Sequence, residues 1–222
     1  MRFLLPANIY LLHCSGFGMC CGLIALFRKK RKAGYLYFTV FALISSFLAR
    51  LYYTLTIAFY GGLPDVFNIG FLGYAAMFLC FYFANYGQMD LLIDDRQTLS
   101  PVYRLIPAVI PVIETVVAVL GLFFGCVKLS VRISFLAISV LSGQAGYYHL
   151  KHLLIPDLDD GFTRALRGYN LTALLIGFSS FAEIGLSVFG WNRPIIFVQF
   201  FMGLCYAAIF PLLEKGVNKW SI

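Results

Sequence analysis

The chain has 222 residues, 61% of them apolar and 12% charged, against roughly 45–50% and 25% in an ordinary soluble domain. With a mean hydropathy of +0.84 and 18% aromatic residues, it is neither a soluble enzyme nor a disordered chain, which needs low hydrophobicity and high net charge. A net charge of +7 would point to nucleic acid only if Lys and Arg gathered on one solvated face; here they follow the ends of apolar runs, so no nucleic-acid partner is expected.

Seven apolar runs succeed one another at about 7–27, 35–60, 69–93, 104–125, 130–150, 166–190 and 194–213, each near or above the roughly 20 residues a helix needs to cross a bilayer. They predict an all-α fold: a polytopic membrane protein whose single seven-helix transmembrane domain takes up residues 1–222, multi-pass in a cell membrane. The runs are too long and too evenly apolar for barrel strands. The first is preceded by Met1-Arg2-Phe3-Leu4-Leu5-Pro6, which lacks a strong basic region, and no small-residue cleavage site follows, so it reads as a retained helix. The basic run Arg28-Lys29-Lys30-Arg31-Lys32 directly after it reads as a topology anchor rather than a patch for acidic lipid or nucleic acid. With the N-terminus outside, 12 of the 17 basic residues fall in inner loops, while Arg2, Lys128, Arg132 and Arg193 lie outside and Arg50 lies within the second run. That distribution predicts N-out and C-in, with a cytoplasmic C-terminus.

Ionisable side chains inside apolar runs are costly unless paired, hydrated or snorkelling. Arg50 in the second run, Glu114 in the fourth and Glu183 in the sixth qualify, and all three count into the outer half. Gln199 in the seventh run reaches a similar depth, and Tyr52, Tyr53 and Tyr206 can add hydroxyls. The simplest common solution is one polar cluster opening outward. Read functionally, Arg50, Glu114, Glu183, Gln199 and Tyr53 bind a small polar or zwitterionic ligand between apolar walls. Read structurally, an Arg50–Glu183 ion pair fastens helix two to helix six while Glu114 is protonated or wetted. In a third reading, Glu114 or Glu183 exchanges protons in a coupled transporter.

A second polar group lies towards the inner side: Asn85, Gln88 and Asp90, then Gln144, His149 and His152, then Asp157, Asp159 and Asp160. His149 and His152 share a helix face, which hydration and the helix dipole favour at a C-terminus without any metal. His13 lies towards the opposite face, so a bis-histidine haem pair is not expected; no metal and no cofactor are called for. A faint parallel repeat links Asp90-Leu91-Leu92-Ile93-Asp94-Asp95 to the stretch from His152 to Asp160, and Glu114 and Glu183 each precede a glycine, Gly121 and Gly190, by seven residues. Pro107 and Pro111 interrupt the inner half of the fourth helix, and Pro211 the end of the seventh. Six cysteines, at 14, 20, 21, 80, 126 and 205, form no C-x-x-C and read as packing residues apart from Cys126 in a loop. Asn170-Leu171-Thr172 matches a glycosylation sequon but falls near the inner face. The seventh run has no mid-helix Lys for a retinal, and no H-E-x-x-H, G-x-S-x-G or phosphate loop occurs.

The inner stretch Asp157-Leu158-Asp159-Asp160-Gly161-Phe162-Thr163-Arg164-Ala165 resembles the opening of the CDP-alcohol phosphotransferase motif D-x-x-D-G-x-x-A-R, with its last two residues reversed. The resemblance implies carboxylates that hold a divalent metal against a pyrophosphate. The later G-x-x-x-D-x-x-x-D of that family has no counterpart, so the stretch reads as an acidic turn capping the next helix, and no enzyme is expected.

Seven helices, N-out and C-in, short loops and an outward polar cluster look like the seven-helix sensory modules that bacteria place before a cytoplasmic kinase or helix-turn-helix domain. That resemblance is architectural, covers the whole chain and rests on no motif. It implies detection of a small-molecule ligand outside and a signal through helix seven, whose end from Pro211 to Trp220 would lead to a cytoplasmic output domain or partner protein lying outside these residues. The competing expectation is a small-solute transporter, or the substrate-binding membrane subunit of one, with Gln144, Asn85 and Gln88 lining inner access; no inverted repeat supports it. A passive assembly subunit is the third class. The lipid bilayer is the partner common to all.

Overall fold

In hydrocarbon, backbone N–H and C=O groups must find partners within their own segment, so long apolar runs become helices. The computed structural model describes residues 4–28, 34–64, 66–86, 101–155 and 162–220, and among these it is helical without a strand. The elements are α1 (Leu4–Arg28), α2 (Gly34–Tyr60), α3 (Ile69–Asn85), the single turn α4 (Val102–Leu105), α5 (Val109–Phe124), α6 (Leu129–Leu154), α7 (Phe162–Val188) and α8 (Asn192–Trp220). Six helices are long and apolar enough to cross a membrane, α4 and α5 counting together as one; α3 is a shorter apolar helix over its 17 described residues. The chain is thus a multi-pass helical membrane protein.

The ends follow local chemistry. Asn68 caps α3, its side-chain carbonyl accepting from Gly70 N at 3.0 Å, which satisfies one of the orphan donors of a first turn. Gly190, at φ 75°, closes α7: Trp191 N donates to Leu186 O at 2.8 Å and Gly190 N to Ser187 O at 3.1 Å, the paired bonds of a Schellman turn, which needs a left-handed residue. Pro107 breaks the fourth run as expected, and the chain between α4 and α5 tightens to bonds such as Ala108 N to Leu105 O. Pro111 does not interrupt; it falls in the first turn of α5, where its missing N–H costs little. The expectation that Pro211 interrupts the end of the last helix is corrected, since α8 runs through it to Trp220. A proline removes one ladder bond, and a membrane helix accommodates that.

Around the bundle, α1 packs on α2, α2 on α3, α3 on α6, α6 on α7, α7 on α8, and α8 back on α1. Six helices therefore close a ring of two consecutive triplets, with the middle helices α2 and α7 facing across it. We call the end where α1 begins the near end and the other the far end. The α3/α6 and α8/α1 seams are parallel and the rest antiparallel. Met77, Phe78 and Tyr206 fill the axis and are fully buried.

α5 stands outside the ring, on α6 and the edge of α7. It buries only Glu114, Ala118 and Gly121, whose spacing of four and three makes a single stripe, and exposes Val112, Ile113, Val116 and Phe123 to what a membrane would supply as lipid. The helices approach closely because α6 carries Gly143, where a β-carbon would lie 2.8 Å from Pro111 Cα. The two glycines of the faint repeat differ in role: Gly121 packs against Phe135, whereas Gly190 terminates a helix. Residues 29–32, 88–96 and 157–161, which hold most of the basic run, Gln88, the acidic stretch and the phosphotransferase-like turn up to its glycine, lie outside the described residues.

Candidate functional site

The buried face of α2 presents Thr39, Ser46, Arg50 and Tyr53 at helical spacing, so that one side of the helix is a polar ladder. Arg50 is 1% exposed and lies ten residues before Tyr60, about 15 Å along the helix from that end. Across the ring, Glu183 of α7 meets it as a bidentate pair. Arg50 Nη1 donates to Glu183 Oε1 at 2.8 Å, and Arg50 Nη2 donates to Oε2.

Gln199 Nε2 of α8 donates to the same Oε1 at 2.6 Å, and the Tyr74 hydroxyl of α3 stands 3.5 Å from Oε2. Side chains from three other helices thus converge on one carboxylate. A buried ion pair holds together only if good geometry and further hydrogen bonds offset desolvation, and here the fork geometry, the amide and the phenol supply both. The guanidinium also lies 5.2 Å from the Tyr74 ring centroid, within cation–π range, and reaches Met202 Sδ at 3.4 Å. Arg50 Nε, also buried, has no acceptor.

This pair forms the floor of a cavity of about 60 Å³ whose polar walls are Asn8, Arg50, Tyr53, Asn68, Tyr74 and Glu183. Leu63 and Pro64 from the α2–α3 connection, with Val127 and Ser187, bring in the other near-end segments. Tyr53 stands in the wall because the second residue of α3 is a glycine: a β-carbon at Gly70 would sit 2.5 Å from the Tyr53 ring. The volume admits several waters or a small polar group and is below the roughly 300–1,000 Å³ of a drug-sized pocket. Because the pair neutralises itself, the floor is dipolar rather than charged, which suits a neutral or zwitterionic group better than a free ion.

Polar contacts continue down the axis. Ser46 and Tyr206 share a hydrogen bond, and the Tyr206 hydroxyl also points to Met77 Sδ at 3.5 Å. Thr39 and Tyr169 hydroxyls lie 2.8 Å apart. At the far end, Asn85 Nδ2 is 2.6 Å from His149 Nδ1, His149 Nδ1 is 3.0 Å from Asn170 Oδ1, and His152 Nδ1 is 2.9 Å from Asn85 Oδ1.

Of the residues singled out from the sequence, Arg50, Glu183, Gln199 and Tyr53 come together. Glu114 does not, which corrects the expectation of a single cluster. Its helix lies outside the ring, and the only inward stripe of α5 faces α6 and α7, so Glu114 enters a separate cavity with Ser142 and His149. Tyr206 belongs to the layer below, Gln144 is exposed on the outside of α6 rather than lining the axis, and His13 is exposed with Nδ1 2.7 Å from Ile9 O. Tyr74, Met202 and Asn170 were missed. Nothing distinguishes Tyr74 from the other 13 tyrosines by sequence, and Asn170 attracted notice only as a sequon. Asn68 was findable, because an Asn before an apolar run signals a helix cap.

No protein-family model, curated relative or solved structure matches the chain.

Proposed function

We propose that this chain is a membrane-embedded receptor-type module that takes a small neutral or zwitterionic ligand into the near-end cavity and passes a rearrangement along the ring to the far end of α8. The observation that carries this reading is the Arg50–Glu183 pair, which joins the two facing middle helices and at the same time floors the cavity. A ligand that competes for either partner changes how α2 and α7 are held, and such differential contact is what shifts a conformational equilibrium. The near end is outside and the far end cytoplasmic, by the excess of Lys and Arg in the connections assigned to the inner side. The output is a cytoplasmic domain or partner protein reached through α8.

The second reading is small-solute transport, supported by the polar contacts that descend from Arg50 to Asn85. It requires the fully buried Met77, Phe78 and Tyr206 to move aside, so the receptor reading needs the smaller change.

The test is thermal stabilisation of the purified chain in detergent against amino acids, sugars, vitamins, nucleosides and lipid precursors. A ligand at about a hundred times its dissociation constant should add roughly 2.7 kcal/mol, and the gain should shrink in Asn8→Ala and Tyr53→Phe, which leave the ion pair intact. A blank across the library, or a hit indifferent to both variants, removes the proposed site. Uptake of the hit into vesicles, lost in the same variants, would replace receptor by transporter.

A further inference from the structure

Glu114 is 2% exposed, halfway along a membrane-spanning helix, and its Oε2 is a buried oxygen without a hydrogen-bond partner. Ser142 Oγ, on the facing helix α6, is likewise buried and unpartnered. Both residues line one small cavity of about 10 Å³, together with the His149 imidazole. That volume is close to the roughly 10–15 Å³ that one water requires, and a buried water needs two to four polar partners. Here three polar groups from two helices surround a water-sized space, and two of them have no other partner.

The remaining walls are apolar. α3 contributes Phe78 and Phe81, and α7 contributes residues such as Leu174 and Gly177, so His149 is the single other titratable group lining the cavity. Among the described residues, no Lys or Arg lines the cavity. An unpaired carboxylate in such a setting is expensive, and the carboxylic acid is the form that fits. His149 in turn leads outward: it meets Asn85 and Asn170, and Asn85 holds His152. His149 is five residues from the end of α6 at Leu154, about 7.5 Å by helical rise.

We propose that Glu114 is a proton-binding site separate from the near-end ligand cavity, served by one water held between its carboxyl group, the Ser142 hydroxyl and the His149 imidazole. At rest the acid and the imidazole are both neutral. On transfer, the O–H bond of Glu114 breaks and, through the water, an N–H bond forms at His149 Nε2, which gives up its 3.2 Å contact with Asn85 Nδ2 while Nδ1–H keeps Asn170 Oδ1 as its acceptor; a carboxylate and an imidazolium result, with the net charge unchanged. Loss of that second proton towards the far end, on the His152 side, empties the site; rebinding reverses the steps. The site stands whether the near-end cavity binds a ligand or not.

The experiment is pH-difference infrared spectroscopy of the full chain in lipid nanodiscs, reading the carbonyl stretch of a protonated, buried carboxylic acid. The expected result is a band that titrates in the wild type, is absent in Glu114→Gln and persists in Glu183→Gln. Ser142→Ala should shift its frequency, and His149→Gln should move its midpoint by about one pH unit. Should Glu114→Gln fail to fold, Glu114→Asp keeps the acid and must shift the band. A band that survives Glu114→Gln, is unmoved by Glu114→Asp, does not change with pH, or ignores both Ser142→Ala and His149→Gln overturns the proposal.

Discussion

The ring of Tyr53 occupies the space that a side chain at Gly70 would need, with Cε2 and Cζ both 2.5 Å from where a β-carbon would stand. Tyr53 cannot retreat freely, since its ring also packs against Tyr52 and Tyr74. Gly70→Ala should therefore destabilise the protein by about 1–3 kcal/mol, the usual cost of overpacking, and disturb the near-end cavity. The same substitution in a Tyr53→Ala background should cost far less. Thermal unfolding of the four variants in detergent checks this, and equal costs in both backgrounds would show that the two residues do not compete for space.

Arg50→Ala leaves the Glu183 carboxylate with its charge and without its fork. Breaking a buried pair from one side typically costs about 3–5 kcal/mol, whereas replacing both partners by apolar groups is often neutral. Arg50→Met with Glu183→Leu should accordingly recover most of what either single change loses. Denaturation in mixed micelles gives the coupling energy. If the double variant is as unstable as the sum of the singles, the pair contributes nothing beyond its separate packing.

Lower on the axis, Tyr206→Phe removes the hydroxyl that meets Ser46. Hydrogen bonds between membrane helices average about 0.6 kcal/mol, with a maximum near 1.7, so a loss within that range is expected. Ser46→Ala added to it should cost little more, because the bond is already gone. A large additional loss would place the Ser46 contribution elsewhere.

The helices were legible because apolar length is a strong signal, and Arg50 and Glu183 were legible because charge in hydrocarbon is rare. Which charges meet was less visible. Glu114 and Glu183 look alike in sequence, each inside an apolar run and seven residues before a glycine, yet they end in different cavities, because only contacts between runs reveal that α5 stands outside the ring. Tyr74 carries no mark of its role: a tyrosine in an apolar run is ordinary until Arg50 is found 5.2 Å from its ring centroid. The far-end histidines and Asn85 read as one inner polar group, but Asn170, whose side chain lies against His149, comes from another helix and gives no periodic signal.

The proposed orientation is open to direct labelling. Cys126 is exposed in the short connection between α5 and α6, at the near end. If that end is outside, a membrane-impermeant maleimide added to intact cells should modify it, and Cys126→Ala should abolish that labelling. Modification only after the membrane is opened would invert the topology and place the Arg50 cavity on the cytoplasmic side.

α5 contributes little to the ring, yet it sets the parity of everything that follows. Three helices carry the chain from the near end to the far end, and a second triplet can repeat the direction of the first only if one more helix brings the chain back. Remove that return and α6 would start at the far end, with α7 reversed. Glu183, five residues from the end of a 27-residue helix, would then stand about 25 Å away along the axis, out of reach of Arg50. The helix that stands outside the ring is thus the one that decides which residues within it can become partners.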